Sequence, residues 1–105
     1  MSKQVADILR KALEAFGPNG EKWGQGTARI ASSDDLCFNV AVYHVATQGN
    51  REGMAYFDEA NTALRDAGGF RNGQESMQWN DHPKRTFTEI KSVYEKAISE
   101  QMKAE

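Results

Sequence analysis

Between Trp79 and Glu89 the chain reads W-N-D-H-P-K-R-T-F-T-E, the densest collection of chemistry-bearing side chains in the sequence. Lys84, Arg85 and His82 stand beside Thr86, where a helix is expected to begin. A helix N-terminus offers unpaired backbone N–H groups and partial positive charge, which suits a phosphate or carboxylate. Trp79 could stack on a ring or base, and Asn80 could read its polar edge. The same residues have a structural use. Thr86-x-x-Glu89 fits a capping box, in which hydroxyl and carboxylate each satisfy a backbone donor. His82 precedes Pro83 and is pushed towards extended geometry. Asn80 and Asp81 can bond neighbouring backbone groups or the Arg85 guanidinium, with Trp79 as an apolar plug. The stretch therefore reads either as an anion site or as a knot that fixes the last helix.

Other candidates carry less chemistry. Gly24-x-Gly26 lacks the third glycine and the Gly-Lys-Ser/Thr ending of a phosphate loop. Cys37 and His44 share a helix face, but two turns hold them roughly 10 Å apart along the axis, too far for a thiolate–imidazole pair. An inert thiol and a core histidine are expected there. His44, His82 and Asp81 have no metal-ligand spacing. Asp34-Asp35 and Asp58-Glu59 read as a helix start and a solvated face rather than as paired acids. No Gly-x-Ser-x-Gly element occurs. No catalytic residue, metal ligand or cofactor is expected.

The elements that must position these residues are helical. Val5, Ile8, Leu9, Ala12, Leu13 and Phe16 recur at helical spacing over 3–16, after a plausible cap at Ser2 and before Gly17-Pro18. Residues 21–33 read as an irregular loop anchored by Trp23 and Ile30. A second helix should open at Ser33-Asp34-Asp35 and run to Gly49, apolar nearly all round and therefore central. Its Val-rich part could alternatively form a strand. A third helix is expected over 52–67, ended by Ala67-Gly68-Gly69. Residues 68–78 read as a polar, mobile connector. The last helix begins at Thr86 and carries Phe87, Ile90, Val93, Tyr94, Ala97, Ile98 and Met102. The expectation is an all-α, compact four-helix domain with structured loops around 17–33 and 68–85.

At 105 residues the chain is expected to form one domain over 1–105, with enough length for a single core. Thirteen Lys and Arg against fifteen Asp and Glu give a net charge of −2, which argues against general nucleic-acid binding. A single cysteine excludes an internal disulfide framework. The N-terminus, M-S-K-Q-V-A-D, has no signal-like apolar run, and no segment approaches a membrane span, so a cytoplasmic location is expected.

Two motifs together, Trp23-x-Gln25-Gly26 and Trp79-Asn80-Asp81…Arg85-Thr86, flank a Cys-containing helix. In this the chain resembles a family of small bacterial and phage proteins of unknown function, over roughly residues 5–98. The chain departs from that pattern at Phe38-Asn39-Val40, where small residues are the rule, and at His82 and Lys84 inside the second motif. The resemblance implies that Trp23, Gln25, Trp79, Asn80, Asp81, Arg85 and Thr86 converge in space. It implies no reaction.

The leading expectation is a non-enzymatic binding protein that holds an anionic small molecule or nucleotide between the Trp23 loop and the start of the last helix. Its ligand-binding residues would be Trp23, Gln25, Trp79, Asn80, Asp81, His82, Lys84, Arg85 and Thr86. Sequestration of a signal in host–phage conflict would suit such a protein. The alternative is a protein–protein interaction module, such as a phage inhibitor of a host defence complex, using acidic helix faces and Tyr56/Phe57. A third reading is a small hydrolase or transferase with Asp81 and His82 as acid and base. A bundle with apolar residues on nearly every helix face could also form a homodimer.

Overall fold

A computed structural model describes residues 3–24, 40–48 and 55–103. Among them are five helices: α1 (Lys3–Ala15), α2 (Val40–Gln48), α3 (Phe57–Gly68), α4 (Gly73–Asn80) and α5 (Phe87–Lys103). The fold is all-α. Ser2, the Gln25–Asn39 stretch with Cys37, and Met54 lie outside the described residues.

The core forms because each long helix carries a stripe of apolar side chains at helical spacing. Val5, Ile8, Leu9 and Ala12 from α1, with Phe16 directly after it, meet Ala60, Leu64 and Ala67 from α3 and Ile90, Tyr94 and Ala97 from α5. The Phe16 ring stands edge-on to Tyr94 and to Phe87, each at 5.6 Å between centroids. Phe16 and Tyr94 are fully buried, and each such side chain contributes on the order of 1.5–3 kcal/mol. Alanines at 12, 60, 63, 67 and 97 let the helices approach closely.

The described part of α2 is helix, which removes the strand alternative. It buries Ala41, Val42 and Ala46 but presents Tyr43 and His44 to solvent. The expected core histidine is therefore a surface residue. Val42 and Ala46, one turn apart, point inwards, and His44 falls on the opposite side.

α3 ends as expected at Gly69, whose φ of 74° places it in the left-handed region. Its N–H donates to Asp66 O, and the Phe70 N–H donates to Arg65 O, completing a Schellman motif. The chain then departs from the expected connector. Residues 73–80 form α4, because Asn72 is an N-cap whose Oδ1 accepts from the Glu75 N–H at 2.9 Å. Glu75 in turn accepts from the Arg71 N–H at 2.7 Å and from Arg71 Nε at 2.8 Å, which locks the first turn. Asn80 is the last residue of α4, and this places it in the interior.

α5 starts where the capping box predicts. Glu89 Oε1 accepts from the Thr86 N–H at 2.9 Å, and Thr86 Oγ1 accepts the longer bond from the Glu89 N–H at 3.4 Å. Met102, expected on the apolar face, is half exposed near its end. No described helix is long and apolar enough to cross a membrane.

Candidate functional site

Asn80 is the centre of the polar knot. It is fully buried, and a buried amide is costly unless bonded. Its Oδ1 accepts from Trp23 Nε1–H at 2.8 Å, across 57 positions of sequence. Its Nδ2 donates to Gly24 O at 3.1 Å and to Asp81 Oδ1 at 3.0 Å. The indole N–H can only donate, which sets the orientation of the amide. Asn80 thus ties the loop that leaves α1 to the turn that precedes α5.

Arg85 forms the second half of the knot. Its guanidinium lies 4.1 Å from the centroid of the Trp79 ring, a cation–π contact. Its Nε donates to Trp79 O at 2.8 Å, and Nη1 donates to Glu89 Oε2 at 3.0 Å. The side chain is only 16% exposed. Glu89 is exposed, and the Thr86 backbone N–H, followed by the Arg85 charge, holds its carboxyl below the usual glutamate value. One carboxylate therefore serves both the guanidinium and the open end of α5.

The two indoles face different partners. Trp23 packs on Phe87 at 6.4 Å between centroids, and Trp79 on Phe70 at 5.4 Å. His82 and Lys84 are exposed on the turn between α4 and α5, where His82 Nδ1 accepts from the Lys84 N–H at 3.1 Å. Gln25 lies outside the described residues. Trp23, Trp79, Asn80, Asp81, Arg85 and Thr86 thus fall into one connected region, through Trp23–Asn80–Asp81 on one side and Trp79–Arg85–Glu89–Thr86 on the other.

Beside the knot lies a cleft that the sequence motifs do not mark. It measures about 470 Å³ and is lined by Leu13, Glu14, Gly17 and Pro18 from the end of α1, and by Phe87 and Lys91 from the start of α5. Phe87 and Lys91 are one turn apart and so share a helix face. Phe87 connects cleft and knot, because its ring carries Trp23 on one side and the backbone of Gly20 on another. Gly20 has φ 75°, and a Cβ there would penetrate the Phe87 ring. The loop is bound down further by Lys22 N–H to Phe16 O at 2.8 Å and Trp23 N–H to Gly20 O at 3.0 Å. The available signal for the cleft was the Gly17-Pro18 break directly after Leu13 and Glu14. It marks a helix end but not what packs opposite it.

The model of a family of unknown function, DUF6197, matches residues 1–100. The chain belongs to that family. No curated protein and no solved structure matches the chain. Among the described residues, no three His, Cys, Asp or Glu side chains gather as a metal site would require.

Proposed function

We propose that this member of DUF6197 is a non-enzymatic binding domain that holds a small anion-bearing molecule in the cleft between the end of α1 and the start of α5. The single observation that carries this is the cleft itself. Its volume of about 470 Å³ falls in the range of small-molecule sites, and its floor of Leu13, Pro18 and Phe87 is apolar. Lys91 supplies the charge. Of the residues expected from sequence to face the ligand, none that is described lines this cleft.

The knot is the scaffold of this site. Arg85 is committed to Trp79 and Glu89, and Glu89 occupies the helix end that an anion would use. A ligand at that point would have to displace an internal carboxylate. Exposed Lys84 extends the positive character of the neighbouring turn. Sequestering a small signal molecule, for instance in host–phage conflict, is a role such a domain could fill.

The test is a two-dimensional NMR titration with a panel of carboxylates and nucleotides. The reading requires shifts that centre on Leu13, Phe87 and Lys91 and vanish in Lys91→Glu. Shifts centred on Trp79 and Arg85, unaffected by Lys91→Glu, would move the site back to the knot.

One observation favours a protein partner as the second reading. Tyr43 is 52% exposed, with its ring edge-on to Phe57 at 5.6 Å, a half-covered aromatic pair on α2 and α3. Tyr43→Ala would weaken capture of a protein partner and leave the NMR titration unchanged.

A further inference from the structure

The two walls of the cleft carry residues of opposite charge. Glu14 comes from α1 and Lys91 from α5, and both are exposed. Among the described residues no ion pair or side-chain hydrogen bond engages either of them. The three ion pairs there are Asp7–Arg10, Arg71–Glu75 and Arg85–Glu89.

Glu14 also sits where its own helix disfavours it. It lies in the last turn of α1, which contains no basic residue, at the negative end of the helix dipole. Glu75 and Glu89, by contrast, stand in the first turns of α4 and α5 and are bonded there. Neither its own helix nor a side-chain partner among the described residues accounts for this charge, which leaves it available to a ligand in the cleft.

Resting on the reading of the cleft as a ligand site, we infer that its ligand is a zwitterion with an apolar body, of the class of a free apolar α-amino acid. The ligand carboxylate meets Lys91, its ammonium meets Glu14, and its side chain lies on Phe87, Leu13 and Pro18. A polyanion such as a nucleotide would bring its charge against Glu14 and is selected against. Charges of both signs at fixed places give specificity more than raw affinity.

The experiment is isothermal titration of the full chain with four probes: L-phenylalanine, L-leucine, N-acetyl-L-phenylalanine and phenethylamine. The acetyl derivative keeps the carboxylate and loses the ammonium, and phenethylamine does the reverse. Phenylalanine or leucine should bind, with each truncated probe about tenfold weaker or more, one such factor per lost charge contact. Glu14→Gln should abolish the preference for phenylalanine over its acetyl derivative. The double exchange Glu14→Lys with Lys91→Glu should restore binding of phenylalanine in the reversed orientation, while either single exchange should not. Both positions are exposed, so these variants should fold, and their melting curves check it. If the acetyl derivative binds wild type as well as phenylalanine does, the zwitterion inference is overturned and the anion reading survives. If no probe binds and no carboxylate or nucleotide shifts the NMR spectrum, both are overturned.

Discussion

Replacing Asn80 by Asp tests the knot with almost no change of shape. The substitution keeps an acceptor for Trp23 Nε1–H but turns the Nδ2 donor into an oxygen. That oxygen then faces Gly24 O and Asp81 Oδ1, at the positions now 3.1 and 3.0 Å from Nδ2. Each buried polar group left without its partner costs about 1–3 kcal/mol, so two lost bonds amount to roughly 2–6 kcal/mol. That is a large share of the roughly 5–15 kcal/mol that stabilises a typical domain. Melting should fall by at least about 8 °C, given roughly 4–8 °C per kcal/mol in a domain of this size. The loss should also depend on pH. Burial and the adjacent Asp81 raise the folded pKa of the new carboxyl above its unfolded value. The neutral acid can donate, so the penalty is smallest at low pH and grows as pH rises through the folded pKa. The assay is thermal and urea unfolding followed by circular dichroism and tryptophan fluorescence, across pH. A double-mutant cycle of Asn80→Ala with Trp23→Phe should add a coupling of about 1 kcal/mol or more. Wild-type stability of Asn80→Asp at neutral pH, or strict additivity in the cycle, would refute the assignment of Asn80 as the tie between the two loops.

Gly20→Ala should destabilise by about 2 kcal/mol or more, since it combines a positive φ with a clash against Phe87, and Phe87→Ala in the same chain should relieve the clash part. Leu64→Ala, in the centre of the core, should cost about 2–5 kcal/mol in urea unfolding with an unchanged denaturant slope. Three glutamates have pKa values held down: Glu21 by hydrogen bonds from its own backbone N–H and that of Asn19, Glu75 by Arg71, and Glu89 by Thr86 and Arg85. The stability they add is complete above the unperturbed value near 4.3 and is lost as pH falls through the lower folded values. Melting temperature should therefore drop in acid, and the triple Gln variant should flatten that drop by a small amount because Glu21 and Glu89 are exposed and Glu75 is only half-buried.

Much of the fold was legible because strong local signals agreed. The apolar stripe of α1, its Gly17-Pro18 end, the Gly68-Gly69 stop of α3 and the capping box of α5 all appear where composition and spacing placed them. α4 was missed because its residues, G-Q-E-S-M-Q-W-N, carry almost no apolar periodicity. What forms it is the Asn72-x-x-Glu75 cap and the Arg71 clamp, a signal of the same kind as the one recognised at Thr86. His44 was misplaced because a helix that is apolar on most sides still has an exposed one, and the side is set by neighbours distant in sequence. The convergence of Trp23, Asn80 and Arg85 was legible as a motif. That Arg85 would turn inwards onto Trp79 and Glu89 was not, because an i,i+4 pair and an anion site need the same residue types. The cleft depends on which helix faces the end of α1, which no local pattern encodes.

Native mass spectrometry of the protein purified directly from its own host tests the central claim, that the knot is a scaffold and the adjoining cleft holds a small ligand. The expected spectrum shows an added small mass that is lost on denaturation, persists in Lys84→Ala and disappears in Lys91→Glu. An added mass that persists in Lys91→Glu and disappears in Arg85→Lys, with the variant still folded, would contradict it and return the site to the Trp79–Glu89 stretch.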